Sequence, residues 1–142
     1  MVPAILLGAY SLLALIASVQ DARARRYPNR LALAMAALAL CLALLSGEGA
    51  ARLFLCCAIS LLLVIVEVVW RALRGTSGLG MGDVKALAGA VLVSPRAAFL
   101  SLVLSLLLLA FCCVVARRRS LPFLPFFFPV FLVLLFCLEV CP

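Results

Sequence analysis

The sequence predicts an all-α membrane protein with six transmembrane helices, and two observations support this. The first is composition: 69% of the 142 residues are apolar, the mean hydropathy is +1.38 and only 12% are charged. A soluble domain is roughly 45–50% apolar, and its surface has no place for so many apolar side chains. The second is that the apolar residues form long runs separated by short basic segments, as in membrane proteins that cross the bilayer several times.

Six apolar runs predict the six helices. They cover residues 2–19, 31–45, 53–70, 83–93, 97–116 and 122–140. A helix needs about 17–25 apolar residues to cross a bilayer. The fourth run is too short to do so alone, so we expect a short helix whose start is buried among its neighbours. The sixth run contains three prolines, so we expect its start to be irregular or extended.

The charges between the runs predict the orientation. With the N-terminus outside, residues 21–30, 71–85 and 117–121 face the cytoplasm and carry 10 of the 12 basic residues. Basic residues accumulate in cytoplasmic loops, so both chain ends are expected outside the inner (plasma) membrane. No basic segment precedes the first run, so that run is expected to be retained as a helix. Asp21 and Asp83 then lie together at the cytoplasmic face.

The residue types present argue against several functional classes. The net charge of +7 arises in short loops, where anionic lipid headgroups explain it better than nucleic acid. The chain has no histidine and no Cys-x-x-Cys pair, so we expect neither a metal site nor a serine-hydrolase triad. Its seven cysteines lie in or at the ends of apolar runs and are expected to be small buried hydrophobes. No cofactor is expected.

The stretch from Gly78 to Lys85 is the most typical of a functional site. It places Asp83 directly after Gly80 and Gly82, two residues before Lys85, where the chain returns to apolar sequence. A carboxylate at such an edge is costly, so its default interpretation is functional. The glycines make this polar segment flexible.

Asp21 supplies a second carboxylate on the same predicted face. Like charges a few ångströms apart cannot both ionise, so two carboxylates share a proton. One of them then takes a proton from water, and the other polarises a peptide carbonyl. Asp21 and Asp83 are therefore candidates for an aspartic peptidase pair that titrates as a unit, with neither assigned as the base.

Each of these residues also has a structural interpretation. Asp21 could end the first helix and pair with Arg23 or Arg25. Asp83 could cap the fourth helix, and Lys85 could anchor the chain by extending its amine to the membrane surface.

Other polar residues are expected to support the helices. Asn29 is placed to cap the second helix through its side-chain oxygen. Glu67 is predicted to pair with Arg71 one turn later, and Glu48, Glu67 and Glu139 are interpreted as loop or interface residues.

Three features in order resemble the type IV prepilin peptidases, a branch of the GxGD intramembrane aspartic proteases. Gly80–Lys85 resembles their GxGDxK box. Asp21, followed by Pro28 and Asn29, resembles their first catalytic aspartate with its downstream Pro-Asn. Residues 121–126 resemble their late Pro-Phe-x-Pro-Phe segment. These features cover nearly the whole chain, so we expect one membrane-embedded peptidase domain over residues 1–142.

The resemblance implies a cytosol-facing aspartic endopeptidase with Asp21 and Asp83 as the catalytic residues. The supporting motif residues are Gly80, Gly82, Lys85, Pro28 and Asn29. The implied substrate is a type IV prepilin-like precursor, such as a tight-adherence pilin or a pseudopilin, cut between its basic leader and its hydrophobic helix. Longer members add an amino-terminal methylating domain, which is not expected here because the first aspartate is residue 21. The chain thus resembles short, peptidase-only members or archaeal preflagellin peptidases.

Two other classes of function stay open at this point. A small transporter or channel could use the glycine-broken fourth element, with Asp83 and Lys85 as its polar sites. A non-catalytic assembly subunit of a pilus or secretion machine would need neither aspartate. The oligomeric state is not predicted.

Overall fold

The computed structural model describes residues 2–24, 27–75, 80–117 and 121–140, and these ranges form six α-helices that end in a π-helical turn. The helices are α1 Val2–Ala24, α2 Asn29–Leu45, α3 Gly49–Arg74, α4 Met81–Val93, α5 Pro95–Val115 and α6 Leu124–Leu135, followed by the turn Phe136–Val140. The expectation of an all-α chain with six helical elements is confirmed for these ranges.

Three helices in the described ranges, α1, α3 and α5, are long and apolar enough to cross a membrane. The other three are shorter, at 17 residues for α2, 13 for α4 and 12 for α6. Large apolar side chains cover the outer faces, as with Phe54 of α3 at 76% exposure and Leu107 of α5 at 63%. Such surfaces are typical of proteins that contact lipid. Six full crossings and the orientation of the chain ends stay predictions.

The short helix α4 is the centre of the fold. Eight of its 13 residues are buried, which confirms a short helix among its neighbours. The expectation that its start is the buried part is wrong, because the first residue, Met81, is 57% exposed and burial is concentrated from Ala86 to Val93. Helices α2, α3, α5 and α6 pack against α4, and α1 packs on α2 and α6 to continue the ring around it. Within the described ranges, α3 and α5 form no extended contact with each other. The ring of helices is therefore open between α3 and α5.

Small and aromatic side chains determine how closely these helices approach. Ala17 of α1 and Ala39 of α2 are fully buried, and small residues let helices in a membrane pack with their backbones close together. α6 instead contributes rings: Phe127 and Phe131 are stacked with centroids 6.0 Å apart, and both are fully buried. The large rings of α6 thus fill interior space that the small alanine side chains of α1 and α2 do not occupy.

Several helices extend beyond their apolar runs. α1 continues through Asp21 to Ala24, so Asp21 lies inside the helix rather than after it. α4 begins at Met81, two residues before the start of its apolar run. Hydrophobicity marks the part of a helix that suits lipid, whereas backbone hydrogen bonds let the helix continue into polar sequence. The predicted Glu67–Arg71 pair is confirmed, with 2.6 Å between Oε1 and Nε.

Arg52 joins α3 to the end of α4. Its guanidinium donates a hydrogen bond to the carbonyl oxygen of Val93, the last residue of α4, and pairs with Glu48 at 3.1 Å. The Arg52 side chain is only 14% exposed. The last carbonyls of a helix lack partners within that helix, so a buried cation there stabilises the helix end.

Replacing Arg52 with methionine is expected to lower the thermal unfolding midpoint, because the Val93 carbonyl loses a charged donor contributing roughly 1.5–3 kcal/mol. The measurement is thermal unfolding of the purified protein in detergent. Arg96, an exposed arginine at the start of α5, gives the matched control Arg96→Met, which should leave the midpoint unchanged. A midpoint for Arg52→Met equal to that of the unmodified protein would contradict the assignment.

Candidate active site

One cavity of about 510 Å³ is lined by the two carboxylates that were predicted to form the site, Asp21 from α1 and Asp83 from α4. We call it the carboxylate cavity. α1 and α4 do not pack extensively against each other, but each contributes a carboxylate to the wall of this cavity. Four further residues of the predicted motif also line it: Asn29, Gly80, Gly82 and Lys85. Pro28 lies between two lining residues and is the N-cap of α2.

Asp21 is held by the start of α6. The backbone N–H of Leu124, the first residue of α6, donates to Oδ2 of Asp21 over 3.2 Å. One turn earlier in α1, the Ser18 hydroxyl donates to the carbonyl oxygen of Leu124, also over 3.2 Å. The N-terminus of a helix attracts negative charge, so α6 both orients the Asp21 carboxylate and stabilises it. Arg25, one of the two alternative partners of Asp21, lies outside the described residues.

Asp83 lies in the first turn of α4, and the helix cap is Gly80. The Asp83 carboxylate bonds back to the backbone of Gly80, as acidic residues at the third helical position commonly do. The interpretation of Asp83 as the N-cap is therefore wrong, because the helix begins two residues earlier. Asp83 still supports the helix start, but its carboxylate also faces the carboxylate cavity.

The two carboxylates interact electrostatically. Burial, and then the charge of Asp21, raise the pKa of Asp83 to about 6, although the backbone hydrogen bond from Gly80 acts in the opposite direction. Asp83 belongs to α4, which is not one of the three helices long enough to cross a membrane. A carboxyl group whose ionisation is opposed by a second carboxylate retains its proton to higher pH. The pair is thus suited to hold one proton between two groups.

Limited space, rather than an unusual backbone, favours glycine at positions 80 and 82. Gly80 has φ −74° and ψ 135°, which any residue adopts. A Cβ at Gly80 would lie 3.0 Å from Oδ2 of Asp83, and a Cβ at Gly82 would lie 3.2 Å from Cβ of Tyr27. The first glycine leaves room for the carboxylate, and the second lets α4 approach the segment that leads into α2.

Lys85 and Asn29 connect α4 to α2 across the cavity wall. The Lys85 amine donates to Oδ1 of Asn29 over 2.8 Å. The prediction that Asn29 caps α2 is wrong, because Pro28 is the N-cap and Asn29 is already the first helical residue. A charged donor forms a stronger hydrogen bond than a backbone N–H, so the Asn29 oxygen serves a tertiary contact instead of its own helix.

Tyr27 and Leu124 belong to the site but were not predicted from the sequence. The Tyr27 side chain packs against Gly82 and lines the cavity; its position directly before the Pro-Asn pair was the available signal. Leu124 acts through its backbone N–H. Every residue except proline has this group, so the residue type at position 124 gave no signal. Its neighbours Leu121, Pro122 and Phe123 also line the cavity, and this is the segment that carried the third part of the family resemblance.

The arrangement offers acid–base chemistry in an open, water-accessible space. In the described part of the chain, no group of three His, Cys, Asp or Glu residues is placed to hold a metal ion. An interacting carboxylate pair can activate water and protonate a leaving group without a metal. A lysine fixed beside the pair adds a positive charge to the cavity wall.

Comparison with known proteins gives one family. The model of the type IV leader peptidase family matches residues 8–138, which includes every residue that lines the carboxylate cavity. No curated protein and no solved structure matches the chain. The matched range covers far more than half of the sequence, and the cavity lies entirely within it. The chain therefore belongs to the type IV leader peptidase family.

Proposed function

We propose that the protein is an aspartic endopeptidase that removes the basic leader of prepilin-like precursors at the cytoplasmic face of the inner membrane. Asp21 and Asp83 would form its catalytic pair. The observation that carries the proposal is that both carboxylates line one cavity, where the charge of Asp21 acts on Asp83. Membership in a peptidase family supplies the reaction class, and the cavity supplies the groups able to perform it.

In the proposed mechanism the pair starts with one proton. The ionised carboxylate takes a proton from water as the water oxygen attacks the peptide carbonyl carbon, while the protonated carboxyl donates a hydrogen bond to the carbonyl oxygen. When the tetrahedral intermediate collapses, the C–N bond breaks and a carboxyl proton passes to the leaving amine. The products are a carboxylic acid and an amine, and the pair again holds one proton.

Neighbouring groups would position this pair rather than react. The N–H of Leu124 fixes the Asp21 carboxylate, and the backbone of Gly80 restrains the carboxyl of Asp83. The Lys85–Asn29 bond keeps the starts of α4 and α2 together. Preorganised groups of this kind lower the barrier because they need no rearrangement as charge develops.

The proposed substrate class fits the charge and location of the cavity. In its working state the pair carries a net charge of −1 and would attract the basic leader of a prepilin-like precursor, although the adjacent loops of the enzyme are themselves basic. The scissile bond of such a precursor lies where a polar leader meets an apolar helix. The cavity offers the same transition, with polar Asp21, Asn29 and Lys85 next to apolar Leu121 and Phe123.

The direct test is cleavage by the purified protein in proteoliposomes. A tagged prepilin-type precursor should be cut once, between its basic leader and its apolar helix, with the new terminus identified by mass spectrometry. Cleavage should persist in EDTA and after treatment with a serine-directed fluorophosphonate. Loss of cleavage in EDTA would contradict the aspartic mechanism, and no cleavage of any prepilin-type precursor would contradict the proposed function.

Activity should fall as the pH rises through about 6, because the group that holds the shared proton then loses it. The raised pKa of Asp83 sets this limit, since an unperturbed aspartic acid would already be ionised near pH 4. Activity should fall again in strong acid, where both carboxyls are protonated. The measurement is kcat/KM for the precursor from about pH 4 to about pH 9. A rate that rises steadily to pH 9 would contradict a shared proton.

A further inference from the structure

A second cavity, of about 350 Å³, lies beside the carboxylate cavity and is almost wholly apolar. Leu63 of α3 forms one side, and Leu102, Leu106 and Leu109 of α5 form the other. Leu87 of α4 lies between them. We call the space lined by these five leucines, together with Asp83, Leu121 and Phe123, the leucine groove.

The leucine groove adjoins the carboxylate cavity. Three residues line both spaces: Asp83, Leu121 and Phe123. Asp83 is the one ionisable residue among those that line the groove, and every other is leucine or phenylalanine. A chain that enters the groove from the carboxylate cavity therefore passes a single carboxylate and then meets only apolar side chains.

The groove lies where the ring of helices is open. α3 and α5 each pack on α4 but form no extended contact with each other in the described ranges. Their outer faces carry large exposed apolar residues, among them Leu62 at 59% and Leu107 at 63%. An apolar segment in the bilayer could thus enter sideways between α3 and α5, without leaving the membrane.

We propose that the leucine groove binds the apolar helix of the substrate, at the residues directly after the cleaved bond. This inference rests on the proposed function and adds where the membrane part of the substrate docks. The start of that helix would lie near Asp83, and its first large side chains would fill the space between Leu63 and Leu106. Helices bind such grooves through anchors spaced three and four residues apart.

The wall shared with the carboxylate cavity favours this occupant over a lipid chain. A lipid tail would fill the apolar part but has no reason to meet a carboxylate at its end. A precursor has a polar leader joined to an apolar helix, so its two parts match the two adjoining spaces. The groove volume suits a few large side chains, which is what a helix presents along one edge.

Photo-crosslinking would test this docking site without relying on catalysis. A photoreactive diazirine amino acid close to leucine in size, which leaves the groove open, is placed at position 106 or, as the matched control, at position 107, in the Asp83→Asn variant co-expressed with a tagged prepilin-type precursor. Leu106 lines the groove, whereas Leu107 is the next residue of α5 and does not. Position 106 should crosslink to the first turns of the precursor's apolar helix, with a yield several-fold above that of position 107. Equal yields, or lipid adducts alone at position 106, would overturn the proposal.

Cleavage kinetics provide the second test. Leu106→Trp should fill the groove and lower kcat/KM for the precursor about tenfold or more, since apolar sites respond strongly to small changes in volume. Leu107→Trp adds the same bulk outside the groove and should cleave normally. Equal activity of the two variants would overturn the groove and leave the peptidase assignment intact. Absence of cleavage by the unmodified protein would instead overturn the proposed function itself.

Discussion

Replacing either Asp21 or Asp83 with asparagine is expected to abolish cleavage of a prepilin-type precursor. Asparagine keeps the size and hydrogen-bonding capacity of the side chain but neither takes a proton from water nor gives one to the leaving amine. Residues that act as one unit typically contribute factors on the order of a thousand or more to kcat. The measurement is the initial cleavage rate in proteoliposomes containing equal amounts of each variant.

The double variant distinguishes a pair from two separate contributors. If Asp21 and Asp83 share one proton, Asp21→Asn combined with Asp83→Asn should cost little more than either substitution alone. Glu67→Gln is the matched control, because this buried carboxylate pairs with Arg71 and does not line the carboxylate cavity. It should retain cleavage. Substantial activity in either single aspartate variant would refute the catalytic pair.

The same substitutions should show that activity is not lost through unfolding. The pKa of Asp83 is raised in the folded protein, so ionising this group opposes folding as the pH rises from about 4 through about 6. Asp83→Asn removes that cost, and at neutral pH its thermal midpoint should equal or exceed that of the unmodified protein. The difference should disappear below about pH 3, where Asp83 is protonated in both the folded and the unfolded state. A lower midpoint at neutral pH would indicate a purely structural capping role.

Composition and periodicity were sufficient to predict that the six helices exist but not where each helix ends. The six apolar runs each correspond to one helix of the structure. The predicted end of the first helix at Val19 is wrong. α1 continues to Ala24 in polar sequence, because backbone hydrogen bonds still hold the helix there. The start of α6 was expected to be irregular, and residues 121–123 are indeed non-helical before Leu124.

Several residues of the candidate site were predictable from the sequence, whereas the hydrogen bonds that hold them were not. Charge bias in the loops placed Asp21 and Asp83 on one face, and both line the same cavity. Nothing local, however, indicates that Asn29 accepts from Lys85, 56 positions away, or that Asp21 accepts from Leu124, 103 positions away. Local rules assign Asn29 to its own helix, and only packing reveals the stronger, charged partner. Contacts of this range depend on the whole helical arrangement.

Replacing Gly80 with alanine is the sharpest steric test of the site. The added Cβ would lie 3.0 Å from Oδ2 of Asp83, which is tighter than nine in ten Cβ contacts in proteins. The backbone of Gly80 suits alanine, so the chain does not need to move and the carboxylate must. Displacing a catalytic group by about 1 Å can cost on the order of a hundredfold in rate. The Asp83 carboxylate needs to shift by only a few tenths of an ångström, so we expect kcat to fall several-fold, by less than that factor, with a smaller change in KM.

Gly8→Ala is the matched control, because a Cβ at Gly8 in α1 meets nothing within 4 Å. Alanine is a better helix former than glycine, so this variant should be at least as stable as the unmodified protein and fully active. Gly82→Ala presses on Tyr27 rather than on a carboxylate, with 3.2 Å between the Cβ atoms, and should have an intermediate effect. Full activity in Gly80→Ala would mean that the position of the Asp83 carboxylate beside Gly80 is not the one used in catalysis. A loss confined to Gly80→Ala and Gly82→Ala would instead tie the glycines of this motif to the placement of Asp83.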